Sequence, residues 1–94
     1  MPMAAPPSLV ETDQELLHRL HTNPRQTPSM LLKNTSSTDS KQYIQNRLKH
    51  LRDIGFVTRA DRGIYELTDR GERAADNIQL YKTDQQRFWN RVGV

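Results

Sequence analysis

Between Lys41 and Leu67 the spacing of apolar residues changes from helical to extended across a single glycine. Ile44, Leu48 and Leu51 recur at i, i+4 and i+7, the stripe of an amphipathic helix, and Gly55 follows where a helix end favours a left-handed residue. From Phe56 the period drops to two. Val57, Tyr65 and Leu67 are available for one face and Thr58 and Glu66 for the other, around a tip of Asp61-Arg62-Gly63. A helix over about 39–54 that feeds a β-hairpin over 56–68 restricts the chain to the α+β class.

The remaining segments read as helices around this pair. Thr12 with Glu15 has the form of a capping box, Leu16, Leu17 and Leu20 supply an apolar stripe, and Asn23-Pro24 predicts a stop near Thr22. Thr27-Pro28 opens a helix of about two turns that ends near Lys33. The polar run 34–38 predicts a turn, with Thr38 or Asp39 capping the next helix. Thr68 is expected to cap a fourth helix carrying Ala74, Ala75, Ile78 and Tyr81, which Gly71 weakens in its first turn. Thr83 or Asp84 starts a last short helix with Phe88, Trp89 and Val92. Residues 1–8, with prolines at 2, 6 and 7, are expected to be a disordered lead-in, 9–82 the folded domain, and 83–94 a short C-terminal helix or tail.

The net charge of +3 over 94 residues is unevenly placed. Residues 33–62 hold Lys33, Lys41, Arg47, Lys49, Arg52, Arg59 and Arg62 against Asp39, Asp53 and Asp61, so the basic excess lies in the third helix and hairpin. Such a cluster attracts a polyanion. With Ile44 at the centre of the buried face, Gln42, Asn46, Lys49 and Asp53 turn outward, with Lys41, Gln45 and Arg52 on a flank. There is no cysteine, which excludes disulfides and thiolate metal sites. No run approaches the roughly 18 apolar residues of a membrane span, and residues 1–8 lack the pattern of a secretory signal, so a cytoplasmic location is expected.

Three stretches carry a family resemblance. Ile44-Gln45-Asn46-Arg47-Leu48-Lys49-His50-Leu51, then Ile54-Gly55-Phe56-Val57, then Gly63-Ile64-Tyr65-Glu66-Leu67-Thr68-Asp69-Arg70-Gly71 resemble the recognition helix, first wing strand and wing exit of small prokaryotic winged helix-turn-helix repressors. The likeness is to the haloarchaeal phage-repressor group and, more distantly, to MarR-like regulators, over about Asp13 to Asn77. It implies a double-stranded DNA partner, a nucleoid-associated location, and a third helix lying in the major groove. Lys41, Gln42, Gln45 and Asn46 would then read bases, Gln and Asn pairing with adenine and Lys with guanine. Thr38, Ser40, Arg47, Lys49 and Arg52 would hold phosphates, Tyr43 either role, and Arg59 and Arg62 the backbone or the adjacent minor groove.

Other classes fare less well. An enzyme would need a nucleophile, a phosphate loop or a paired-carboxylate pocket, and none is legible; no cofactor or small-molecule ligand is expected. His18 and His21, at i and i+3, with His50 form the only metal candidate, and no supporting carboxylate pattern accompanies them, so no metal is expected. A winged helix serving as a protein-interaction module would expose an apolar patch where this sequence puts amides and cations. Ile78, Tyr81, Phe88, Trp89 and Val92 are too apolar for a disordered end; they are expected at a homodimer contact, the other reading being a cover for the chain's own first helix.

Overall fold

A computed structural model describes residues 7–93. Among these residues the chain forms six helices and one two-stranded antiparallel hairpin: α1 (Glu11–Thr22), α2 (Pro28–Lys33), α3 (Lys41–Asp53), β1 (Val57–Asp61), β2 (Ile64–Leu67), α4 (Asp69–Asp76), α5 (Ile78–Thr83) and α6 (Gln85–Val92). The class is α+β, as the change of period predicts. No helix among the described residues is long and apolar enough to cross a membrane.

The first helix starts earlier than its sequence suggests. Val10 occupies the N-cap and the Asp13 carboxylate accepts its backbone N–H at 3.1 Å, so Thr12-x-x-Glu15 is not the cap. Those two side chains reach across the fold instead. The Glu15 carboxylate accepts from Ser36 N, Ser36 Oγ and Ser37 N at 2.8, 3.1 and 2.9 Å, and Thr12 Oγ1 lies 2.6 Å from Ser37 Oγ. Burial raises the Glu15 pKa, but these hydrogen bonds outweigh it and hold the carboxyl below its ordinary value. The turn before α3 is thereby fastened to α1.

Helix α2 follows its sequence signal, with Thr27 accepting from Met30 N at 3.2 Å and Pro28 at the first position. Ser40, rather than Thr38 or Asp39, caps α3 by accepting from Tyr43 N, while Thr38 Oγ1 accepts from Ser40 N. At the far end Gly55 adopts φ 86°, Gly55 N donates to Arg52 O, and Phe56 N donates to Leu51 O. This is a Schellman closure, and its apolar pair, Leu51 and Phe56, is fully buried.

Helix α4 docks on that corner. Thr68 N donates to Phe56 O at 3.0 Å, and the Thr68 hydroxyl donates to Gly55 O while accepting from Gly71 N. A Cβ on Gly71 would stand 1.9 Å from Phe56 O, so glycine is required where it had looked like a weak helix former. The expected fourth helix is two helices. Asn77, at φ −110°, turns its side-chain amide back to Arg73 O at 2.8 Å, competing for the carbonyl a continuous helix would use.

One core gathers residues from every helix and from β1: Leu9, Leu16, Leu17, Leu20, Leu31, Ile44, Leu48, Leu51, Phe56, Val57, Ala74, Tyr81, Phe88, Trp89 and Val92. Trp89 stacks on Phe56 at 5.9 Å and meets Phe88 edge-on at 4.9 Å, and Tyr81 Oη accepts from Leu9 N at 2.9 Å. This corrects the expectation for the C-terminal residues. Tyr81, Phe88, Trp89 and Val92, assigned to a dimer contact, are buried within the chain itself, and Ile78 is half-buried against the same core. Each large apolar side chain withdrawn from water contributes roughly 1.5–3 kcal/mol. Exposing this set to a second copy would therefore cost a large share of a small domain's stability. Residues 83–92 are part of the folded unit, and of the expected lead-in, residues 1–6 lie outside the described residues.

Candidate nucleic-acid interface

Because Ile44, Leu48 and Leu51 are buried, helical geometry turns Lys41, Gln42, Gln45, Asn46, Lys49 and Arg52 to solvent, and all six are exposed. Gln42 Nε2 donates to Asn46 Oδ1 at 3.1 Å one turn away. This bond orders both amides and leaves the Gln42 carbonyl and the Asn46 N–H groups facing outward, an acceptor and donors side by side. Tyr43 is 38% exposed on the flank. Ser40 and Thr38 precede them at the helix start, with their hydroxyl oxygens accepting local N–H groups.

Arg47 departs from the expected phosphate role. Its Nε and Nη2 donate to the two Asp13 oxygens at 2.8 and 2.6 Å, and Asp13 is fully buried. These hydrogen bonds raise the Arg47 pKa against the effect of burial, with the charges of Asp13 and Tyr43 adding to it. Its position explains the turn inward. Residues 44, 47, 48 and 51 share one stripe of α3, so Arg47 borders the core instead of the outer face.

The hairpin pairs Val57 with Leu67, Thr58 with Glu66, Arg59 with Tyr65 and Asp61 with Ile64, with a bulge between Arg59 and Asp61. Asp61 Oδ1 accepts from Arg62 N at 2.7 Å and Gly63 takes φ 69°, which closes the tip and leaves Arg59 and Arg62 exposed. A third extended piece, absent from the sequence reading, supports the base. Gln26 forms an antiparallel bridge with Tyr65, N to O at 3.0 and 2.9 Å in the two directions, and the buried Gln26 amide donates to Arg19 O and Asn23 O. One residue is too short to show a period of two. Only the buried-polar accounting around Gln26 reveals it.

Arg70 also escaped the sequence reading. Its guanidinium donates to Ile54 O and Gly93 O, at the C-terminal ends of α3 and α6, and lies 5.1 Å from the Phe56 ring centroid. A cation there faces the negative ends of two helices. Two of the histidines make polar contacts between segments, and His18 is exposed. His21 sets Nδ1 2.7 Å from Glu72 and Nε2 3.1 Å from Asp76, joining α1 to α4, and His50 Nε2 lies 3.3 Å from Ser8 O. Among the described residues no three metal-ligating side chains converge.

Comparison of the chain with protein-family models, with curated proteins and with solved structures returns no match.

Proposed function

We propose that this chain binds duplex DNA as a winged helix-turn-helix regulator, acting by binding and not by catalysis. In this reading α3 enters the major groove and the β1–β2 hairpin is the wing. The observation that carries it is the division of α3 into two faces: every large aliphatic residue from Ile44 to Leu51 is buried, while the outward face offers amides and cations. The element order, with a fastened turn between α2 and α3 and a hairpin directly after α3, supports the same reading.

The roles then distribute by chemistry. Lys41, Gln42, Gln45 and Asn46 read base edges, each good contact contributing about 1–3 kcal/mol of discrimination. Thr38, Ser40, Lys49 and Arg52 hold phosphates, as do Arg59 and Arg62 from the wing. Arg47 is omitted, since its Nε and Nη2 donate to the buried Asp13 and turn the guanidinium toward the α1–α3 seam. A domain this small acts as a repressor by occupying a promoter. A homodimer on two half-sites would have to form through surfaces other than the buried aromatic residues of α5 and α6.

Fluorescence anisotropy with labelled duplex over a range of salt concentrations tests this. Wild type is expected to bind with a log–log slope of several units, and Lys41→Ala/Lys49→Ala/Arg62→Ala to bind more weakly with a slope shallower by about two, one for each of the phosphate contacts of Lys49 and Arg62. Absence of binding at low salt, or a slope indifferent to the three substitutions, overturns the assignment and favours a protein-interaction module.

A further inference from the structure

A groove of about 420 Å³ runs between the α1–α2 connection and α2, and its walls include Asn23, Arg25, Met30, Lys33 and Asn34. None of the lining residues is acidic. Arg25 takes φ 64°, the only non-glycine residue at positive φ among the described residues. Such a conformation costs an L-residue free energy that glycine would not incur. The side chain does not recover it by packing, being 71% exposed, and the ion pair it makes is a 3.3 Å bond from Nε to Glu66 on β2, a surface pair of small worth. A strained arginine is kept where glycine fits the backbone, and neither burial nor ion pairing explains it.

The position is held firmly. Gln26, the next residue, is bridged to Tyr65, so Arg25 is set beside the hairpin. Lys33, which lines the same groove, closes α2, and only residues 34–40 separate it from Lys41 at the start of α3. Met30, 47% exposed, lines the same groove and adds an apolar surface to it.

We infer that Arg25 and Lys33 form a phosphate-binding site that extends the proposed nucleic-acid interface beyond α3 and the hairpin tip. This rests on the DNA-binding reading above. The phosphates are those of the duplex backbone, and the site adds affinity without sequence preference.

The test uses Arg25→Gly and Arg25→Gly/Lys33→Gln in the full chain. Glycine accepts the backbone conformation, so Arg25→Gly is expected to melt at or above the wild-type temperature. The salt slope of duplex binding becomes shallower by about one in the single variant and about two in the double, with the preference among duplex sequences unchanged. An unchanged slope in the double variant overturns the inference. So does a fall of several degrees in the melting temperature of Arg25→Gly, which would assign the arginine to the fold. If wild type binds duplex and only the Lys41/Lys49/Arg62 variant alters the slope, the DNA reading stands and this site fails. If wild type binds no duplex, both fail together. Amide chemical shifts with inorganic phosphate separate the sources: saturation around Asn23 and Lys33 at millimolar phosphate, with no change of duplex slope in the double variant, marks a free-anion site and overturns the backbone assignment.

Discussion

Asp13 and Arg47 meet in the seam between α1 and α3 as a bidentate pair, with contacts of 2.8 and 2.6 Å and the aspartate wholly withdrawn from solvent. Each sits on the apolar stripe of its own helix, at 13 with 16, 17 and 20, and at 47 with 44, 48 and 51. Two charges at core positions are tolerated because each supplies the partner the other lacks.

Removing one partner should therefore cost far more than removing both. Arg47→Met leaves the buried carboxylate unpaired and is expected to destabilise by about 3–5 kcal/mol, whereas Asp13→Leu/Arg47→Met recovers most of that loss. Urea denaturation of the two single variants and the double measures the coupling. Equal midpoints for Arg47→Met and wild type would refute a structural role for the pair.

The Glu15 clamp gives an acid-side dependence. Its folded pKa lies below the ordinary 4.5 despite burial, because Ser36 and Ser37 donate to the ionised form. The stability it contributes is thus complete above that ordinary value and is lost as pH falls through the lower folded one. The gap in urea midpoint between wild type and Glu15→Gln should be widest at neutral pH and shrink toward pH 3. A gap independent of pH would show that the charge is immaterial.

Gly71 and Gly63 separate two reasons for glycine. Gly71→Ala drives a methyl into Phe56 O and is expected to cost about 3 kcal/mol, at the upper end for overpacking. Gly63→Ala meets nothing within 4 Å but keeps φ 69°, so about 1–2 kcal/mol is expected from the backbone alone. Thermal melts rank them. The reverse order would contradict the close approach of α4 to the α3 corner.

Burial of α6 predicts a monomer-level effect. Trp89→Ala should lose about 3–5 kcal/mol of stability, with a melting temperature independent of protein concentration. Trp89 is the only tryptophan and 4% exposed, so native emission should be blue-shifted and move red on unfolding. A melting temperature that rises with concentration would restore these residues to an interface.

The elements were legible wherever a period ran long enough to repeat. Ile44, Leu48 and Leu51 with Gly55 located α3 and its closure, and the alternation after Phe56 located the hairpin. Thr12 and Glu15 misled because a capping box and a tertiary clamp call for the same residue types, and only the fold decides where their oxygens point. The family resemblance implies a phosphate role for Arg47, whereas its place with 44, 48 and 51 sets it beside the buried stripe; Asp13, equally out of place in a row of leucines, is the matching sign in the sequence. The bridge at Gln26 leaves no local pattern, since its partner Tyr65 lies about 40 positions away.

The Gln26–Tyr65 bridge makes the chain uneven in its tolerance of length change. An insertion at the Asp61–Gly63 tip lengthens a loop with open space beside it, and the ladder below can persist. An insertion between Asn23 and Gln26 would shift the bridge out of register, release the hairpin base from α1, and re-aim everything carried on β1 and β2. Homologous chains should therefore vary in length at the tip and keep the α1–α2 connection at a constant count.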